Sequence, residues 1–262
     1  MLVKDKLLAQ ARNDDEKIII GRAIDIIERV KKSGAPSVTH FLSPNDIILY
    51  EMVMNSLGDV KYEGFGGVES TERKKLAISP IDCDWYDPIY DITAINVKLK
   101  EPKEVSHRDY LGAILGLGIK RDVIGDIIVE EDQANIMVDT KIADFIMNNL
   151  QKIGSVNIET AIIDTAEVEK PETQYQTLAL TLASLRLDSV MSKAFQLSRS
   201  AAANFIKQGK VEVNHRAQNS PAATVAEGDV ISCRGRGRCV VLKDLGKTKK
   251  GKIKIEIGFP MV

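Results

Sequence analysis

Cysteine is scarce in this 262-residue chain: Cys83, Cys233 and Cys239 form an odd, sparse set. Such a set argues against a disulfide framework. No apolar run approaches the ~20 residues that span a bilayer, so no membrane association is expected. The opening stretch "MLVKDKLLAQARNDDEK" lacks the apolar core and small-residue cleavage site of a signal peptide, and the cytoplasm is the expected location. Only three histidines occur, His40, His107 and His215. They lie far apart, and none has a Cys or Glu at metal-ligand spacing. No metal or other cofactor is expected.

Hydrophobic residues make up 44% of the chain, enough to build real cores, and the length allows two or three domains. The net charge is only −1, but it is unevenly spread. Residues 185–262 carry 15 Lys/Arg against 6 Asp/Glu, a net of +9; the remainder carries 21 against 31, a net of −10. That split points to a polyanion-binding end on an otherwise acidic protein.

Residues 1–80 read as a small α/β domain. Over residues 14–33, Ile19, Ile20, Ala23, Ile24, Ile27 and Val30 recur on one helical face, and Gly34 and Pro36 stop the helix. A second helix starts at Ser43, with Pro44 in its first position and Asp46 completing a capping box. The stretch "VKYEGFGGVESTERKKLAISP" predicts a strand, a glycine-rich turn and a strand. Gly66-Gly67 with Arg73, Lys74 and Lys75 could touch phosphate, but these residues alone favour a solvated turn.

Residues 81–165 follow the order βαββαβ, the ferredoxin-like pattern shared by many RNA-recognition domains. Those domains stack bases on aromatics of their two central strands. Reading residues 125–131 and 134–140 as that pair, the sequence offers Ile127, Ile128, Val129, Ile136, Met137 and Val138, with no aromatic. Topology alone does not license RNA binding. Lys120 and Arg121 form the one local basic spot, and Asp82, Asp84 and Asp87 favour a solvated loop over a cation site. Residues 166–182, polar and with a proline, read as a linker.

Residues 183–262 carry the chemistry. A short helix ends near Phe195, and Ser198 caps a second one that Gly209 closes, with Ala202, Phe205 and Ile206 as its buried face. Arg199 in the first turn opposes the helix dipole. The conflict resolves if the helix start is a phosphate site, where Ser198, Ser200 and free backbone N–H groups supply donors beside the guanidinium. Lys193, Lys207, Lys210 and Arg216 lie in or beside the helix pair, and Arg234, Arg236 and Arg238 alternate with glycines that would let a phosphate backbone approach. Cys233 and Cys239 read as paired strand positions.

The segment from Leu185 to Cys233 closely resembles the S-four RNA-binding domain. The likeness rests on Leu187-Asp188, Ser198-Arg199, the run Ile206 to Gly209, the run Val211 to Asn214, and Glu227-Gly228-Asp229. His215 departs from the glycine usual after that asparagine. Upstream, "THFLSPND", "GGVESTERKKLAISP" and "SHRDYLGAILGLGIKRDVIGDIIV" resemble the bacterial YlmH family. The resemblance implies an α+β protein with an N-terminal domain, a central RRM-like domain, and a C-terminal S-four domain ending in a basic hairpin. It also implies a cytoplasmic, ribosome-associated protein, expected as a monomer, that binds rRNA and tRNA on the large ribosomal subunit. In the family this serves rescue and quality control of stalled translation, and there is a link to cell division. Taken with the charge pattern above, the expected RNA-binding residues are Lys193, Ser198, Arg199, Ser200, Lys207, Lys210, His215, Arg216, Arg234, Arg236 and Arg238.

No catalytic constellation emerges. "RLD" at 186–188 echoes pseudouridine synthases without a synthase-sized domain around it, and "LGKT" at 245–248 lacks the rest of a P-loop. A non-enzymatic RNA-binding protein is expected. An RNA-modifying enzyme with an unrecognised active site and a cell-division adaptor acting through proteins are the alternatives.

Overall fold

A computed structural model describes residues 3–69, 71–83, 90–169, 174–249 and 251–260. Asp84 and Asp87 lie outside them. The chain divides into two compact units, residues 1–170 and 171–262.

The first unit opens with helices α1 (Val3–Leu8), α2 (Asp14–Ser33) and α3 (Pro44–Leu57). Asn13 caps α2 by accepting from the Glu16 N–H; Asp14, Asp15 and Glu16 fill its first turn and Lys31 and Lys32 its last, matching the helix dipole at both ends. Gly34 closes it at φ 69°. The capping box of Ser43 and Asp46 forms as expected. Ile20, Ala23, Ile24, Ile27 and Val30 bury against Leu49, Tyr50, Val53 and Met54 of α3, while Ile19 is half-buried. Strands β1 (Ser37–Val38), β2 (Val60–Phe65) and β3 (Lys75–Pro80) make an antiparallel sheet in the order β1-β3-β2.

The βαββαβ order then follows: β4 (Ile92–Leu99), α4 (His107–Gly116), β5 (Ile124–Val129), β6 (Gln133–Asp139), α5 (Thr140–Asn149), a short β7 (Lys152–Ile153) and β8 (Val156–Ile163). The sheet order is β5-β6-β4-β8-β7. The central pair is therefore β6 with β4, and β5 stands at the edge. Its short hairpin to β6 fixes that place, while the first strand of a split βαβ inserts between the third and fourth. The sequence of β4, ITAINVKL, also lacks an aromatic. Tyr110 and Ile114 of α4 and Ala143 and Ile146 of α5 cover one face through Ile95, Val97, Ile136 and Val138. On the other face Ala94, Ile128 and Met137 pack with Phe41 and Val168. A base-stacking platform there is thus partly occupied by the protein's own Phe41. The approach is so close that a Cβ on Gly125 would lie 2.7 Å from the Phe41 ring.

The second unit begins with β9 (Tyr175–Leu182), followed by α6 (Leu187–Ala194), α7 (Arg199–Lys207), β10 (Val211–Val213), β11 (Arg216–Ala217), β12 (Val230–Cys233), β13 (Gly237–Lys247) and β14 (Ile253–Pro260). One antiparallel sheet takes the order β11-β10-β12-β13-β14-β9. Residues 175–182, expected within a linker, are thus a sheet strand. Leu180 and Leu182 alternate into the core, and eight residue pairs join β9 to β14. Leu187, Val190, Met191, Ala202 and Ile206 seal the helices onto Val211, Ile231, Val241, Ile255 and Ile257. Among the described residues no helix is long and apolar enough to cross a membrane, and no group of His, Cys, Asp and Glu could hold a metal ion.

Candidate nucleic-acid interface

Leu185 accepts from the Val225 N–H, Leu187 donates to Ala223 and Asp188 donates to Pro221, so the 221–225 segment fixes the start of α6. This anchoring holds Asp188 inside the fold, only 5% exposed. Arg186 grips its carboxylate with two bonds, Nε at 3.2 Å and Nη2 at 3.0 Å, and Arg199 adds a third from Nη2 at 3.2 Å. The Arg186 bonds, then those of Arg199, hold the Asp188 carboxyl below its usual range. The cation at the α7 start is therefore anchored by an internal acid rather than left for phosphate alone. Arg199 still stays 59% exposed, so the anchor aims its guanidinium outward. Ser198 accepts from the Ala201 N–H at 3.1 Å, and its Oγ lies 3.0 Å from that of Ser200.

A second group gathers where Gly209, at φ 66°, turns the chain from α7 into β10. The Arg234 N–H donates to the Lys210 carbonyl at 2.9 Å, tying the β12–β13 turn to that corner. Phe205 is half-buried, not fully buried as its helical position predicted. Its ring is flanked by Lys210 Nζ at 5.6 Å from the centroid and Arg236 Cζ at 5.9 Å. Lys210, Arg234 and Arg238 line a shallow concavity of about 270 Å³, with Glu212 as its carboxylate. Two of the expected cations thus lie over one aromatic ring, and one of these, Lys210, shares a concavity with two more.

His215 and Arg216 sit at the far end of β10. Asn214 and His215 take φ of 51° and 62°, the double left-handed turn that joins two-residue hairpins. The turn survives without the expected glycine because Asn214 pins it, donating to Asp229 at 2.7 Å and accepting from the Val230 N–H at 2.9 Å. The buried Nε of Arg216 has no hydrogen-bond partner among the described residues. Lys193 and Lys207 are exposed on α6 and α7. Cys233 and Cys239 are not a cross-strand pair: Cys233 faces Gly237 and Cys239 faces Ile231. Both are buried free thiols, and burial pushes Cys239 up to about 12.

The basic cluster of the first unit behaves differently. Gly66 and Gly67 are buried, so the turn is not solvated. Arg73 donates to the carbonyls of Ile124, Phe41 and Arg121, and Lys75, 2% exposed, pairs with Asp139 at 3.0 Å. Sequence reasoning missed Arg186, the anchoring role of Asp188, and the cations over Phe205. The juxtaposition of Leu187-Asp188 with Ser198-Arg199 was the available signal for the first two.

Three family models match in succession: "YlmH, N-terminal" over residues 15–83, "Putative RNA-binding domain in YlmH" over 89–167 and "S4 domain" over 185–231. The last covers both anchored helices and the pinned hairpin. The ribosome-associated protein quality control protein P2 of Bacillus subtilis (strain 168) is 32% identical over 242 residues, 92% of this chain and 94% of that protein. The solved structure of the cell division protein ylmH from Streptococcus pneumoniae is alike in fold, with a TM-score of 0.52 and 23% identity over 61% of this chain and 98% of that one. With its successive blocks matched in order and a relative alike over nearly its whole length, this chain belongs to the YlmH family.

Proposed function

We propose that this chain is a non-enzymatic RNA-binding protein of the cytoplasm that grips rRNA and tRNA on the large ribosomal subunit through its second unit. There it serves the rescue and quality control of stalled translation. The observation that carries the reading is the placing of Lys210 and Arg236 over the Phe205 ring, with Lys210 also lining, beside Arg234 and Arg238, a concavity open to solvent. Guanidinium forks suit phosphate oxygens, and an aromatic ring among cations suits an unstacked base. Arg199, aimed by Asp188, extends the same chemistry to the start of α7. The name of the Bacillus subtilis relative supports the ribosomal setting.

The test is co-sedimentation of the full chain with purified large subunits, followed by crosslinking to identify the RNA. Wild-type protein should pellet with the particle and crosslink to rRNA or tRNA through residues 199–238. A variant with Arg234, Arg236 and Arg238 changed to glutamate should stay in the supernatant. Unaltered pelleting of that variant would overturn the assignment of the face.

A further inference from the structure

The first unit contains a cavity of about 500 Å³ that RNA binding by the second unit leaves unused. Its volume falls within the roughly 300–1,000 Å³ usual for small-molecule sites. Arg22, Arg29, Tyr50, Arg73 and Arg121 bring the polar chemistry to its walls, and Ile19, Ile26 and Leu42 bring the apolar surface.

Two of these arginines are brought together against their mutual repulsion. Arg73 Nε and Arg121 Nη1 both donate to the Ile124 carbonyl, at 2.9 and 2.6 Å, so two half-buried guanidiniums meet on one oxygen. Burial first, and the Arg73 charge second, push Arg121 down to about 10. Asp46, Asp126 and Asp122 lie near enough to offset part of this charge, with Asp46 and Asp122 in the cavity wall. The carboxylates of the first two, however, also take backbone N–H groups: Asp46 that of Ser43, and Asp126 those of Glu72 and Arg73. Like charges in a half-buried wall repel strongly unless an anion lies between them.

Donors remain for that anion. Arg73 Nη1 and Arg121 Nη2 make no hydrogen bond among the described residues, and neither is sealed from solvent. Tyr50 is only 4% exposed, yet its hydroxyl has no partner among the described residues. Tyr50 itself lines the cavity, together with Arg22, Arg29 and Asp46. Burial pushes its hydroxyl up to about 12, so it stays a protonated donor. Two guanidinium edges and a phenol suit the three oxygens of a phosphate monoester. Asp25 and Asp122 at the wall can accept from hydroxyl groups on the body that carries the phosphate.

We propose that this cavity binds a phosphate monoester on a small hydroxyl-bearing body, of the kind a nucleotide presents, with Arg73, Arg121 and Tyr50 holding the phosphate. The monoester could belong to a free nucleotide or to the 5′ end of an RNA. Titration calorimetry of the full chain with adenosine 5′-monophosphate, adenosine, and a short RNA with and without a 5′-phosphate separates these sources. The phosphorylated member of at least one pair should bind on the order of tenfold more tightly than its unphosphorylated partner, a difference that RNA binding by the second unit, common to both RNAs, does not produce. Binding of the mononucleotide assigns the free ligand, and a phosphate-dependent gain confined to the RNA pair assigns the RNA end. Tyr50→Phe, which keeps the ring and its packing, should weaken that binding several-fold, and Arg121→Gln on the order of tenfold. A thermal melt of each variant checks that it remains folded. Indifference to the phosphate within both pairs, or unchanged affinity in a folded Tyr50→Phe variant, overturns the proposal. Because the cavity and the Phe205 face use different residues, failure here leaves the RNA-binding reading intact.

Discussion

In the first unit the buried charges include cations: Lys75 is sealed beside Asp139, and Arg73 and Arg121 are folded back onto backbone carbonyls. Among the described residues of the second unit the buried charge is an acid, Asp188, and the arginines that hold it stay 41% and 59% exposed. The same residue types therefore serve opposite ends. Inward cations stitch segments distant in sequence, whereas an inward acid turns cations outward, where they can meet a polyanion. Net charge by segment hinted at this division, but the direction in which each side chain points decides it.

The sharpest way to break the contrast is to remove an inward cation. Lys75→Ala strands Asp139, 12% exposed, without its ion pair. Stability of the first unit should fall by about 3–5 kcal/mol, read by urea unfolding, because a buried charge loses its partner. RNA affinity, measured where the variant remains folded, should not change. A loss of RNA affinity in a folded variant would show that the first unit is part of the RNA site.

Outward cations should behave in reverse. Replacing Arg234, Arg236 and Arg238 with alanine should weaken RNA binding on the order of a hundredfold, equivalent to about 3 kcal/mol. It should also flatten the salt dependence by roughly three units of slope, near one for each phosphate no longer neutralised. The melting temperature should hardly move. An unchanged slope would mean that these arginines do not touch phosphate.

What the sequence made legible, and what it hid, divides along sequence separation. Caps at Ser43 and Ser198, the stop at Gly34 and the βαββαβ order are local, because each depends on periodicity or on residues within one turn. The strand β9 was hidden because its partner β14 lies more than seventy residues on, and polar neighbours masked the alternation of Leu180 and Leu182. Arg73 reaches Ile124 across 51 positions, and nothing local shows which way it turns. Arg199 looked misplaced at a helix start until Asp188, 11 positions back, became its partner. Only the fold shows that Lys210 joins Arg236 over Phe205 and joins Arg234 and Arg238 in one concavity, while His215 and Arg216 sit at the far end of β10.

The anchor itself can be titrated. Asp188→Asn keeps the shape and removes the charge that Arg186 and Arg199 hold, so stability at neutral pH should fall by about 1–2 kcal/mol. The native carboxyl titrates below its unfolded value of about 3.9, so its contribution is present above that value and lost as pH falls through the native one. The gap between wild type and variant should therefore close on acidification. A gap that persists once the native carboxyl is fully protonated would mean that the loss comes from shape rather than charge. Because Arg199 would no longer be aimed, RNA affinity should drop several-fold, with the salt slope reduced by about one unit or less.

The smallest expected effect lies at the hairpin tip. His215 holds φ at 62°, which costs a residue with a Cβ roughly 1–2 kcal/mol relative to glycine. Glycine at this position relieves that strain but enlarges the conformational freedom of the unfolded chain, which offsets about 0.5–1 kcal/mol. His215→Gly should therefore stabilise the second unit by about 0.5–1 kcal/mol in urea unfolding. The turn should keep its register, because Asn214 still holds Asp229 and the Val230 N–H. A stability gain with weakened RNA binding would show the imidazole working at the interface against the preference of its own backbone. A gain with unchanged affinity would remove His215 from the RNA contacts and leave the binding face to the cations around Phe205 and to Arg199. A loss of stability would show instead that the half-buried imidazole packs well enough to outweigh the strain it carries.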